Sequence, residues 1–155
     1  MLIQSARLGE MEVSDEAVVQ FPNGLPGFRE MRSFAFIPFG PDSPFSYLQS
    51  TADADLMFIV LETFAVFPDY TFEVDDAVAA ELGFSLDNAP QTFSIVTIPD
   101  QLDQMTANLV APLLVNWRDR LAVQYVLEQT KYSVKQRIFP NGLPKEPTDE
   151  TGKGR

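Results

Sequence analysis

The chain contains neither histidine nor cysteine. That excludes a thiol nucleophile, a Ser-His-Asp triad, an imidazole base, a Cys/His zinc site and any disulfide. Carboxylate chemistry, lysine chemistry and oxygen-only metal binding survive. Two close carboxylate pairs, Asp53 with Asp55 and Asp75 with Asp76, come nearest to a cation site. An EF-hand starting at Asp53 would need an oxygen ligand at position 57 and glycine at 58, where Met57 and Phe58 stand. Glu62 with Glu73 or Asp69 could act as the two carboxylates of a glycosidase, but no spacing selects a pair across different strands. Gly24 and Gly27 form GLPG, which lacks the pattern of a phosphate loop. The enzyme alternative left standing is a carboxylate-dependent hydrolase on a β-barrel; no cofactor is called for.

The acids are more informative as a set. Between Ser33 and Trp117, 85 residues, there is no Lys or Arg, and twelve acids run from Asp42 to Asp103. This segment carries −12 of a net charge of −11, so the flanks sum to +1. Such a surface repels phosphate backbones and disfavours direct nucleic-acid binding. It fits either a solvated acidic face kept for solubility or a docking face for a basic protein. The cluster FAVFPDYTF, Phe64 to Phe72, adds three Phe and one Tyr within nine residues. Most of these rings belong in a core. Phe67 or Tyr70, beside Asp69 and Glu73, would form an aromatic anchor with an acidic rim if exposed.

These residues must be positioned by strands. With 155 residues and 45% hydrophobic content the chain suits one domain with a sizeable core. Short β-branched or alternating runs bounded by Pro, Gly, Asn and Asp predict strands at Leu2 to Arg7, Val18 to Phe21, Phe34 to Phe39, Ser46 to Ser50 and Met57 to Leu61, then at Thr92 to Ile98, Ala107 to Asn116 and Leu121 to Glu128. NWRDR, Asn116 to Arg120, reads as the hairpin turn joining the last two. One helix of two turns is predicted over Asp75 to Leu82, with an Asp cap and Gly83 at the stop. The expected fold is mainly β: an antiparallel β-barrel or sandwich-like single domain over 1–143 with one or two short helices. A disordered tail is expected over 144–155. FPNGLP occurs at Phe21 to Pro26 and at Phe139 to Pro144, and turn chemistry accounts for it. The first dozen residues lack a signal-peptide core, and the longest apolar runs are six or seven residues. A soluble cytoplasmic protein is therefore expected.

Several short motifs occur together: GLPGF at Gly24 to Phe28, LQS at Leu48 to Ser50, PDY at Pro68 to Tyr70, and T-x-N-L-x-A-P at Thr106 to Pro112 followed by Asn116. A late strand ends in QYVL, with Tyr132 and Arg137 beyond it. In this order, from about Leu2 to Phe139, the chain resembles the flagellar assembly factor FliW family. It departs from the family pattern at Arg29 and at Glu62-Thr63. The resemblance implies a non-enzymatic regulator of the bacterial cytoplasm, a monomer when free, with no membrane and no direct nucleic-acid partner. FliW-like proteins bind flagellin and CsrA, a basic dimeric RNA-binding protein that represses flagellin translation. Exported flagellin frees FliW to bind CsrA away from its RNA surface and lift repression. The residues expected to meet partners are Asp53, Asp55, Glu62, Phe67, Asp69, Tyr70, Glu73, Asp75, Asp76, Asp100 and Asp103.

Overall fold

In the computed structural model, which describes residues 1–142, seven strands close into a barrel. The strands are β1 (Leu2–Ser5), β2 (Gly9–Glu12), β3 (Val18–Gln20), β4 (Ser33–Pro38), β5 (Phe45–Ser50), β6 (Met57–Glu62), β7 (Gln91–Thr97), β8 (Thr106–Ala107), β9 (Leu113–Asn116), β10 (Leu121–Gln124) and β11 (Gln136–Arg137). The ring runs β7-β6-β5-β4-β3-β10-β9 and returns to β7 through the pairs Gln91↔Val115, Thr92↔Leu114 and Phe93↔Leu113. Every neighbour in it is antiparallel except β3 and β10, which share one parallel pairing, Leu121↔Gln20. β8 and β11 add to the far end of β7, so β7 carries three neighbours.

The alternation in SFAFIP decides which way β4 faces. Phe34 and Phe36 point into the barrel with Val19, Phe21, Leu48, Val60, Phe93, Leu113 and Val115, and these side chains fill the interior. Ala35 points outward, yet it is buried too, because the β1–β2 hairpin lies over it with Ile3 and Val13. A third cluster forms outside the wall at β6 and β7. Leu61 and Val96 face outward there and are covered by Tyr70, Met105, Ala107, Leu109 and Ile138. The chain between β6 and β7 carries two helices: α1 (Thr63–Val66) is held on this outer core through Val66, and α2 (Asp76–Leu82) packs against β10. The buried Thr63 and Ser94 hydroxyls meet at 2.8 Å and fix α1 to β7.

Two expected strands need correction, and three elements carried no expectation. No strand was expected at β2, because GEME carries no apolar alternation; it pairs with β1 along its whole length. The predicted strand Ala107 to Asn116 is two strands. The Asn108 side chain accepts the N–H groups of Val110 and Ala111 at 3.0 and 3.1 Å, and this turn breaks the run. The last strand stops at Gln124 as a ladder, although its chain stays extended. The FAVF run is a helical turn, and β11 had no sequence signal. α2, ended by Gly83 at φ 81°, and the Asn116 to Arg120 turn stand as read, except that Asp75 at the N-cap position makes no side-chain capping hydrogen bond. The expected tail, 144–155, lies outside the described residues, as does the end of the second FPNGLP. Where both copies are described they make the same turn: Gly24 N–H donates to Phe21 O at 2.8 Å and Gly142 N–H to Phe139 O at 3.1 Å, each glycine at positive φ.

Candidate binding surface

The acids of the base-free segment fall into groups. Asp53 and Asp55 lie in the β5–β6 loop, and Asp100 and Asp103 follow β7. Because β6 and β7 are antiparallel neighbours, these four sit beyond the Met57 end of β6. Glu62, Asp69, Glu73, Asp75 and Asp76 follow its other end. Nine of the segment's twelve acids therefore fall in two separate regions, at the two ends of β6. None of its twelve acids enters an ion pair among the described residues; the only pairs there join the N-terminus to Glu12 and Asp15, and Arg118 to Asp119. No three acids gather as a cation site among the described residues.

Asp53 has a local task as well. Its carboxylate accepts Asp55 N–H at 2.9 Å, and its own N–H donates to Ser50 Oγ at 3.0 Å. Buried Gln49 completes this loop by donating from Nε2 to the carbonyls of Ser50 and Asp53, at 3.0 and 3.1 Å. The LQS motif is thus a clamp that shapes the loop carrying Asp53 and Asp55.

Tyr70 is not an exposed anchor. It is 4% exposed, it stacks among Phe64, Phe72 and Tyr132, and its hydroxyl donates to Leu109 O at 2.8 Å. Burial, with the nearby Tyr132, pushes its pKa above the ordinary tyrosine value. A ring that carries one hydroxyl can be buried when a carbonyl waits for that hydroxyl, and the PDY turn delivers it there. Phe67 is half-buried, and with Asp69, Tyr70, Lys131 and Tyr132 it lines a pocket of about 320 Å³. The exposed ring of the cluster is Phe64, a residue that sequence spacing did not distinguish from its neighbours.

Glu73 and Asp75 line a larger cleft of about 750 Å³, opposite Tyr125 to Thr130. Asp76 opens α2 beside it. Two tyrosines tie the cleft walls together. Thr71 N–H donates to Tyr132 Oη at 2.9 Å, and Asp75 N–H donates to Tyr125 Oη at 3.0 Å. Glu128 faces the same space and was missed as a candidate because it lies outside the base-free segment. The three carboxylates that line the cleft are all solvent-exposed, an arrangement of a charged surface more than of a sequestered acid/base pair.

A last anchor fixes the end of α2. Fully buried Asn116 donates from Nδ2 to Leu82 O at 2.6 Å and to the Asp119 carboxylate at 2.9 Å, and its Oδ1 accepts Asp119 N–H at 3.0 Å. This Asn116 contact, followed by Arg118, holds the Asp119 carboxyl below the usual aspartate value. No helix among the described residues is long and apolar enough to cross a membrane.

Comparison with known proteins agrees over almost the whole chain. The family model described as FliW protein matches residues 2–138. A flagellar assembly factor FliW of Desulfitobacterium hafniense is 43% identical over 140 residues, covering 90% of this chain and 92% of the relative. One from Heliobacterium modesticaldum is 38% identical over 154 residues, with 99% of each chain covered. A crystal structure of the flagellar assembly factor FliW superposes with a TM-score of 0.81 at 33% identity, covering 92% of this chain and all of that one. With the barrel, its outer core and the motif residues all in place, the chain belongs to the FliW family of flagellar assembly factors.

Proposed function

We propose that the protein is a non-enzymatic regulator in the bacterial cytoplasm that binds flagellin and CsrA in turn, a monomer between partners. Flagellin occupies it while subunits await export. Once flagellin has left, the protein binds CsrA away from the RNA-binding surface and relieves the repression of flagellin translation. The observation that carries this reading is the set of twelve acids between Ser33 and Trp117, none of them in an ion pair among the described residues. Carboxylates left unneutralised speed encounter with a basic protein and reject acidic ones. Docked on CsrA, they also lower the positive potential that draws RNA. The contacts belong to Asp53, Asp55, Asp100 and Asp103 in one region and to Glu62, Phe67, Asp69, Glu73, Asp75 and Asp76 in the other. Tyr70 serves from beneath by holding the PDY turn.

The test is calorimetric titration with CsrA at about 50 and 150 mM salt, with and without saturating flagellin. Binding that weakens with salt and disappears with flagellin is the expected result. Reversal of Glu73 and Asp75 to Lys should slow association about three- to tenfold at the lower salt. Binding indifferent to salt would remove the electrostatic account.

A further inference from the structure

The walls of the large cleft lie outside the named strands, and they do not pair with each other. Beyond β10, Tyr125 N–H donates to Pro112 O at 2.8 Å and Leu127 N–H to Val110 O at 2.7 Å. In an antiparallel run the residues between such donors turn their N–H and C=O groups the other way. Val126 and Glu128, which line the cleft, therefore turn their backbone groups away from Pro112 and Val110, and neither makes a backbone hydrogen bond among the described residues. Across from them, Phe72, Glu73 and Val74 donate no backbone hydrogen bond either, while Thr71 and Asp75 at the two ends are held by tyrosine hydroxyls. Side chains, not a ladder, join the two segments. Tyrosine reaching from one wall to the backbone of the other keeps them farther apart than the about 4.8 Å of paired strands. Gln129, at φ 52°, closes the run in a left-handed conformation that side chains disfavour.

We propose that this cleft is a strand-acceptor site: an extended, basic peptide segment of a protein partner adds to the Val126–Glu128 edge. The edge supplies main-chain donors and acceptors to a strand, as in β-augmentation. Charge selects the occupant. Glu73, Asp75 and Glu128 line the cleft, and no Lys or Arg does. In an added strand alternate side chains point the same way, so cations two residues apart can meet the acidic rims while the side chains between them rest on Val126, which is 56% exposed, and Phe72. A second copy of this chain, at −11, or a nucleic acid would meet like charge there. The proposal rests on the reading of a basic protein partner and adds the site and the backbone mode of binding.

The test uses four labelled octapeptides: alternating Lys and Val, alternating Glu and Val, and the Lys-Val peptide N-methylated along one edge or along the other. Binding is followed by fluorescence anisotropy, with amide shifts of the protein measured by NMR. The Lys-Val peptide should bind with shifts at Val126 to Gln129 and Phe72 to Val74. The Glu-Val peptide should not bind. N-methylation of the pairing edge should weaken binding about tenfold while leaving the protein untouched. Glu73→Lys and Glu128→Lys should each weaken it roughly threefold. Equal binding of the N-methylated peptides, with either edge blocked, or shifts confined to the Asp53 and Asp100 loops, would overturn the strand site. CsrA binding that stays salt-dependent in that event would leave the partner reading standing, and its loss as well would remove both.

Discussion

Replacing Tyr70 by Phe isolates a buried hydroxyl and gives a signature in pH. The variant keeps the ring among Phe64, Phe72 and Tyr132 but removes the 2.8 Å hydrogen bond to Leu109 O, a carbonyl that no other hydrogen bond reaches among the described residues. Stranding a buried acceptor costs about 1–2 kcal/mol at neutral pH. Burial raises the folded-state pKa of Tyr70, first through desolvation and then through Tyr132. In the unfolded chain tyrosine titrates near 10. The native state therefore holds a proton that the unfolded state loses. That contribution is full below pH 10 and is lost as pH rises above it, with a limiting slope of about 1.4 kcal/mol per pH unit. By pH 11 the advantage of the wild type over Tyr70→Phe should have shrunk by about 1.4 kcal/mol, enough to close most of the gap. Urea unfolding at pH 8, 10 and 11 measures this, with the fluorescence of Trp117, which packs edge-on against Phe36 at 5.0 Å, as the probe. The other tyrosines titrate in both proteins and cancel in the difference. A gap that stays constant from pH 8 to 11 would refute the description of Tyr70 as a buried, neutral phenol.

Two further predictions concern the motif residues. A Cβ at Gly24 would lie 2.5 Å from Arg29 O at φ +64°, whereas one at Gly142, φ +86°, meets nothing within 4 Å. Gly24→Ala should destabilise by more than about 2 kcal/mol and Gly142→Ala by about 1 kcal/mol, read from urea midpoints; equal losses would contradict the close approach. Asp119 has a lowered folded-state pKa, so its contribution is present above the unfolded aspartate value and is lost as pH falls through the folded one. Asn116→Ala should raise the Asp119 carboxyl toward its ordinary value in an NMR titration and loosen the end of α2; an unchanged titration would assign the shift to Arg118 instead.

What could be read before folding, and what could not, follows from the range of each signal. Runs such as SFAFIP and MFIVLE declare strands because their neighbours along the chain settle their facing, and Gly83 declares a helix stop for the same local reason. Ala107 to Asn116 misled because the Asn108 turn interrupts an otherwise continuous apolar pattern. Tyr70 misled because exposure depends on Leu109, 39 residues away, supplying the acceptor. The base-free segment was legible as a charge, but its division between the two ends of β6 depends on the β6–β7 pairing. Glu128 entered the cleft only through tertiary structure: Tyr125 and Tyr132 bring residues 71–75 against a segment about fifty residues later.

The single parallel pairing of Leu121 with Gln20 has a consequence for how the protein is made. Hairpins β4–β5 and β5–β6 need only local sequence and can form while the chain is still emerging from the ribosome. Strand β3 finds β4 early on one side, but its other partner lies a hundred residues downstream. Until that late segment is synthesised, the nascent sheet keeps an open border at β3, the strand that leads into Phe21, that can pair with any neighbouring chain. Ring closure therefore waits for β10 to emerge. A ribosome stalled before residue 121 would hold a curled sheet with an unsealed side, a substrate for chaperones that the finished molecule no longer offers.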